Sequence, residues 1–224
     1  MRIATLILLL SVILNVSAQQ ALRNPVERNG WTQLAANGQI FNFFGMRPET
    51  NGTVYLYERW KNIAIIETDD GERMMLRNVN FNVDKQQFEA LFSGDSIFTI
   101  NANDLKTITL NNKRYQPMVH QKRTKMFEVM FESNQFTLLK EYRLNVFEAS
   151  YNPMVARKVE RYTKRQNYFI VKGDSFNEIN LNRKNALKLL KNFSKNDIEE
   201  FILENQLSYK EEIDWVNLLK HFID

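Results

Sequence analysis

The stretch KMFEVMFESNQFTLLKEYRLNVF, residues 125–147, decides how this chain folds. It alternates with a period of two. Phe127, Val129 and Phe131 fall on one side, and Met126, Glu128 and Met130 on the other. After Ser133-Asn134 the alternation resumes, with Phe136 and Leu138 on one side and Thr137, Leu139 and Glu141 on the other. Successive strand side chains face opposite sides of a sheet, so the pattern predicts two strands, each with a largely apolar face. A two-residue turn at Ser133-Asn134 sets Phe131 against Phe136 and Val129 against Leu138, pairs that share one face. The aromatic stripe reads as core rather than as a ligand groove, because buried aromatics dominate cores.

Working back from this hairpin, short alternating runs follow one another closely. Val54, Leu56 and Trp60 alternate with Tyr55 and Tyr57, and Ile63 and Ile65 with Ala64 and Ile66. Asp69-Asp70-Gly71 reads as a turn, with Gly71 in the left-handed position. Glu72 to Arg77, Val79 to Val83, Phe88 to Phe92 and Ile97 to Ile100 are further strands, and Ser93-Gly94-Asp95 is a turn. Lys106 to Leu110 turns through Asn111-Asn112 into Lys113 to Tyr115, and a basic loop from His120 to Lys125 leads into the hairpin. Residues 148–165 read as irregular and basic, and Tyr168 to Val171 as a last strand closed by Lys172-Gly173-Asp174. Connections this short join antiparallel neighbours, since a parallel crossover needs a dozen residues or more.

After Asn182 the period changes to about 3.6 residues. Ala186, Leu187, Leu189 and Leu190 mark one helix. Ser194 starts a second, carrying Ile198, Phe201 and Ile202, with Asp197 in its first turn, where a carboxylate suits the unpaired amides. Ser208 and Glu211 have the spacing of a capping box for a third. Its apolar row is Ile213, Val216 and Leu219, widened by Trp215, Leu218 and Phe222. The expected fold is α+β: an antiparallel β meander, as a sandwich or partly open barrel, over residues 53–173, then a helical hairpin or three-helix cap over residues 182–224. Residues 19–52 form an irregular N-terminal segment in which Ile40, Phe41, Phe43 and Phe44 make an apolar knot packed under the sheet.

Residues 1–18 read as a secretory signal. Arg2 opens it, Ile3 to Val16 is apolar, and Val16-Ser17-Ala18 precedes a cut before Gln19. The apolar run falls short of the roughly 20 residues that span a membrane, and no other segment is apolar enough, so the mature chain is expected without a transmembrane segment. Its address is then periplasmic or extracellular. There is no cysteine in the 224 residues, which excludes disulfides and thiol chemistry, and a chain of this size buries a core without them. The net charge of +4, one of it from Arg2, is too mild to call for nucleic acid.

Chemistry is sparse. The two histidines, His120 and His221, sit in no metal-ligand spacing, so no metal or cofactor is expected. There is no nucleophile elbow, P-loop or dinucleotide fingerprint, and no catalytic residue is assigned. Of the adjacent acids, Asp69-Asp70 belongs to a turn and Glu199-Glu200 to an exposed helix face. The basic run Arg157, Lys158, Arg161, Lys164 and Arg165, with Tyr151 and Tyr162 nearby, is the candidate ligand patch, suited to an anionic glycan, a phosphate or a lipid headgroup. Export with few catalytic groups points to a non-enzymatic binding protein of the envelope or exterior. The alternative is a glycan-active hydrolase using a carboxylate pair assembled by the fold.

Phe127-Glu128-Val129-Met130, Leu138-Leu139-Lys140-Glu141-Tyr142 and the tail from Asn185-Ala186-Leu187 through Leu218-Leu219 resemble small secreted β-rich proteins of Bacteroidetes-type bacteria. An Asn-, Lys-, Ile- and Phe-rich composition agrees with that source. The resemblance implies location and architecture, with no activity and no catalytic residue to carry over.

Overall fold

The structure, a computed structural model, describes residues 53–92, 96–147 and 161–223, with residues 41–43, and gives the backbone alone at 41–43, Phe147 and Arg161. Apart from Phe41, these belong to the unit Asn42–Asp224. The signal segment, the rest of residues 19–52, the Ser93-Gly94-Asp95 turn, Tyr151, Arg157 and Lys158 lie outside the described residues.

The fold is an antiparallel β-sheet structure closed by three C-terminal helices. The large sheet has eight strands. Its order is β12 (Ser175–Ile179), β11 (Arg161–Lys172), β10 (Thr137–Phe147), β9 (Arg123–Glu132), β8 (Lys113–His120), β7 (Leu105–Leu110), β2 (Ile63–Thr68) and β3 (Arg73–Arg77). A four-stranded sheet runs β1 (Phe41–Phe43), β6 (Ile97–Ile100), β5 (Gln87–Leu91) and β4 (Val79–Asn82). Phe41 and Phe43 of the expected apolar knot are thus part of an edge strand. Asn78, at φ +57°, is the single residue between β3 and β4, where the chain changes sheet. Asn tolerates that left-handed conformation better than most residues.

Tight turns set the meander. Gly71 takes φ +89°, and Asn111-Asn112 both take positive φ, as a two-residue primed turn requires. The expected basic loop at His120 to Lys125 is instead a second such turn, Gln121-Lys122, with His120 opposite Arg123. The strand twist there overrides residue preference. The expected strand at Val54 to Trp60 is irregular and makes an isolated bridge from Tyr55 to Asn82. Gly173, taken as the end of the β body, is only a turn into β12, and Arg161 to Arg165, expected irregular, begin β11.

The central hairpin corrects the expected register. Ser133 builds a longer turn, its N–H and hydroxyl both donating to the Phe136 carbonyl at 3.0 Å. A serine hydroxyl able to do this competes with a two-residue turn. Leu138 therefore pairs with Phe131, and the next pair is Leu139 with Val129. Met130 is left over as a β-bulge, which moves Phe131 to the face opposite Phe127 and Val129. Phe131 packs with Phe136, Leu138 and the helices, and Phe127 with Leu139 and Phe169 on the other side.

The helices are α1 (Arg183–Leu189), α2 (Lys195–Glu204) and α3 (Glu212–Ile223). Asn182 caps α1, its Oδ1 accepting from the Asn185 N–H at 2.9 Å. The capping box expected at Ser208 and Glu211 does not form. Asp214 reaches back to accept from the Ser208 N–H at 2.8 Å, and α3 starts later. It buries Trp215, Leu218 and Leu219 against Leu138 and Ile170 of the sheet, leaving Ile213 exposed. Further along the same sheet face, Phe81 and Phe88 of the small sheet meet Tyr115, with ring centres 6.0 and 5.2 Å away.

The large sheet is strongly coiled. Strands β8 and β12 are four places apart, roughly 19 Å on a flat sheet at about 4.8 Å per strand. Yet the His120 ring at the end of β8 lies 4.6 Å from Phe176 of β12 and 5.4 Å from Phe169 of β11. Only twist and coiling bring them together. Phe127, Leu139, Phe169 and Val171 are buried on that coiled face.

Candidate functional site

One register line crosses the large sheet. Met74, Ile66, Ile108, Tyr115, Glu128, Lys140, Tyr168 and Ile179 stand side by side, one from each strand. Its ends are apolar and its middle is charged. Lys140 keeps only 1% of its side chain exposed, donates to Glu212 Oε2 at 2.7 Å and forms an ion pair with Glu128 Oε2 at 3.1 Å. The Tyr168 hydroxyl donates to Glu212 Oε1 at 2.7 Å, and the Tyr142 hydroxyl to Glu128 Oε2 at 2.5 Å. Lys113 approaches Glu128 Oε1 at 3.4 Å. Glu212 stands in the first turn of α3, where the helix dipole favours a carboxylate.

The electrostatics of this cluster are those of a tie between layers. Burial pushes the Glu212 carboxyl up, but the Lys140 and Tyr168 hydrogen bonds, with the Lys140 and Lys113 charges, hold it below the usual range. Burial first, then the Glu128 charge, pushes the Tyr142 phenol up. Tyr115 is raised by burial, then by Tyr142, Glu128 and Tyr57. The buried hydroxyls of Tyr57 and Tyr115 have no hydrogen-bond partner among the described residues. Glu128 and Glu212 share one ammonium and so lie within about 6 Å of each other, at the short end of the spacing glycosidase carboxylates use. A general acid there needs a raised carboxyl pKa. Glu212 is shifted the other way, and Lys140 neutralises the space between the pair.

A second feature follows from Pro117. The ladder between β7 and β8 runs from Leu110 opposite Lys113 to Ile108 opposite Tyr115. Two residues further on, Pro117 has no N–H to continue it. A cleft of about 480 Å³ lies between Leu105 and Lys106 of β7 and Gln116-Pro117-Met118 of β8. Thr124, Ala102, Asn103 and Asp69 complete its lining. Lys106 is engaged, donating to Glu67 Oε1 at 2.7 Å. Asp69 has no hydrogen bond or ion pair among the described residues, and the Gln116 amide touches only the Met118 sulfur at 3.2 Å.

The residues singled out in sequence are not gathered in one place. Asp69 lines the cleft, while Asp70 turns back to accept from the Thr68 hydroxyl. Glu199 pairs with Arg183. His221 stacks on Phe201 at 4.0 Å, and His120 sits among Phe127, Phe169 and Phe176. Neither ring bonds to a described serine or acid. Of the basic run, Lys164 and Arg165 are adjacent on β11 and project from opposite faces, opposite Leu144 and Arg143 respectively. No group of three or more metal-ligating side chains occurs among the described residues, and no described helix is long and apolar enough to cross a membrane. Sequence reasoning missed Lys140. Its signal was parity: a lysine between Leu138 and Tyr142 on the inward side of a core strand.

The chain has no match among family models, curated proteins or solved structures.

Proposed function

We propose that this chain is an exported, non-enzymatic binding protein of the cell envelope or exterior, and that a small polar ligand enters the cleft between β7 and β8. The observation that carries the reading is the uncommitted polar lining of that cleft. Asp69 and Gln116 are short of hydrogen-bond partners and stand beside apolar Leu105, Pro117 and Met118. A few convergent polar groups on an apolar wall are the usual make-up of a ligand site. The cleft lining holds a single carboxylate, Asp69, and the pair that catalysis would need is neutralised inside the protein by Lys140. The hydrolase alternative therefore has less support than binding.

Export rests on residues 1–18, and the secreted-protein resemblance agrees with it. Protein recovered from the periplasm or medium of an expressing cell is expected to begin at Gln19. Recovery from the cytoplasm with residues 1–18 intact refutes export. For the cleft, the test is a melting-temperature screen against sugars, amino acids and short peptides. One class is expected to raise the melting temperature of the wild type and to lose that effect in Asp69→Asn. No response from any class, or an unchanged response in the variant, refutes the cleft as the site.

A further inference from the structure

On the coiled face of the large sheet, Arg143 of β10 stands directly opposite Arg165 of β11. Like charges directly opposite on one face destabilise a strand pair. Neighbouring acids normally relieve such a pair. Here the Glu141 carboxylate is already divided, one oxygen 2.7 Å from Lys125 Nζ and the other 2.7 Å from Arg143 Nε. Arg165 is exposed and has no ion pair or hydrogen bond among the described residues. Two cations thus share one anion, and the third has none among the described residues. Arg143 spends only its Nε on that anion, so its Nη groups and the whole Arg165 fork remain unused among the described residues.

We infer that Arg143 and Arg165, supported by Lys125, form a binding site for a tetrahedral oxyanion, a phosphate or sulfate group. The register sets the two arginines opposite each other on one face, and guanidinium forks bind the oxygens of one phosphate or sulfate in pairs. The anion supplies the charge that Glu141 cannot. Lys125 is 16% exposed and Arg143 42% exposed, so the site runs from a buried anchor to an open rim. Solvated charge runs are commonplace, but they do not usually fix two arginines in one register pair. Lys164 lies on the reverse face of β11 and donates to the Leu56 carbonyl at 3.4 Å. It belongs to no part of this site and serves as the control.

The test is calorimetric titration of the full chain at low ionic strength with inorganic phosphate, inorganic sulfate, a sugar phosphate and a sulfated disaccharide. Saturable binding of at least one is expected. Arg165→Gln and Arg143→Gln are each expected to weaken it by about tenfold or more, since each removes one charged fork. Arg165→Lys, which keeps the charge and loses the fork, should fall in between. Lys164→Gln should bind like the wild type. Tighter binding of the esters than of the inorganic ions identifies the anion as a group carried on a larger ligand; binding of the inorganic ions alone identifies a free anion. Absence of saturable binding to all four, or equal affinity in Arg165→Gln and wild type, overturns the inference. An Asp69→Asn protein is expected to keep its oxyanion binding, which separates this site from the cleft.

Discussion

Replacing Lys140 with methionine tests the reading of the charged row. Methionine keeps most of the lysine's length and removes its charge. The ammonium it deletes holds Glu128, whose side chain is 9% exposed, and Glu212, whose side chain is 33% exposed. Removing one partner of a buried ion pair costs about 3–5 kcal/mol, because the other charge stays buried and unpaired. Two features pull toward the lower end. Lys113 remains 3.4 Å from Glu128, and Glu212 is partly screened by water. The expected cost of Lys140→Met is therefore about 3 kcal/mol. In a domain of this size that lowers the melting temperature by about 6–12 °C.

Urea unfolding followed by tryptophan fluorescence measures this directly, since Trp215 of α3 is buried against the sheet. The decisive step is the double variant. Adding Glu128→Gln to Lys140→Met removes the ammonium and the more buried of its two carboxylates, and leaves the Tyr142 hydroxyl an amide oxygen to donate to. Stability should recover by more than half of the single variant's loss, the remainder belonging to Glu212, which is still without its ammonium. A single variant that costs less than about 1 kcal/mol, or two substitutions whose costs simply add, refutes the claim that Lys140 compensates a buried carboxylate.

Burial holds the phenols of Tyr115, Tyr142 and Tyr168 above their ordinary value. Their contribution to stability is complete below about pH 10 and lost as pH rises above it, so phenolate absorbance should show these three ionising only as the protein unfolds; free titration near pH 10 in folded protein refutes their burial. Glu212 is held below its ordinary value of 4.5, so its contribution is present above that pH and lost as pH falls through the lowered value. Glu212→Gln should flatten the acid limb of the stability curve, and an unchanged limb counts against the Lys140–Glu212 contact. The edge strand β3 carries Arg73 and Arg77 on either side of half-exposed Met75, which neighbours exposed Ile65. Charged edge residues block strand pairing between molecules, so Arg73→Thr with Arg77→Thr should promote self-association in size-exclusion chromatography, and a variant as monodisperse as the wild type removes that role.

Local chemistry made much of this fold legible. Asn111-Asn112 and Gly71 announce their turns because the residue types match the backbone they must adopt. What escaped were effects of tertiary context. Met130 is apolar and in step with its neighbours, so nothing in the alternation betrays it as an extra residue; the bulge exists because the Ser133 turn and the Lys140–Glu128 pairing together leave one residue over. Ile213, Val216 and Leu219 make as good a helical row as Trp215, Leu218 and Leu219. The choice falls to the face that presents the tryptophan to Leu138 and Ile170. Gln121-Lys122 gave no turn signal at all. The coiling of β8 over β12 then carried His120 and Phe176 to one spot from positions far apart in the chain.

The charged row and the bulge belong to one solution. A single sheet face is covered by two unlike layers, helices over Leu138 and a small sheet over Tyr142. Helices and strands present different surface periods, so their edges cannot interlock across a shared boundary as each does within itself. The residue under that boundary on β10 is Lys140. A short apolar side chain there would leave a gap, and gaps in a core cost dispersion contacts. A long cation instead reaches across it, binding Glu128 beneath and Glu212 at the start of α3. The bulge at Met130 sets the register that makes this work: it places Glu128 opposite Lys140 while bringing Phe131 round under the helices. Without the extra residue, either the aromatic ring or the carboxylate would face the wrong side of the sheet.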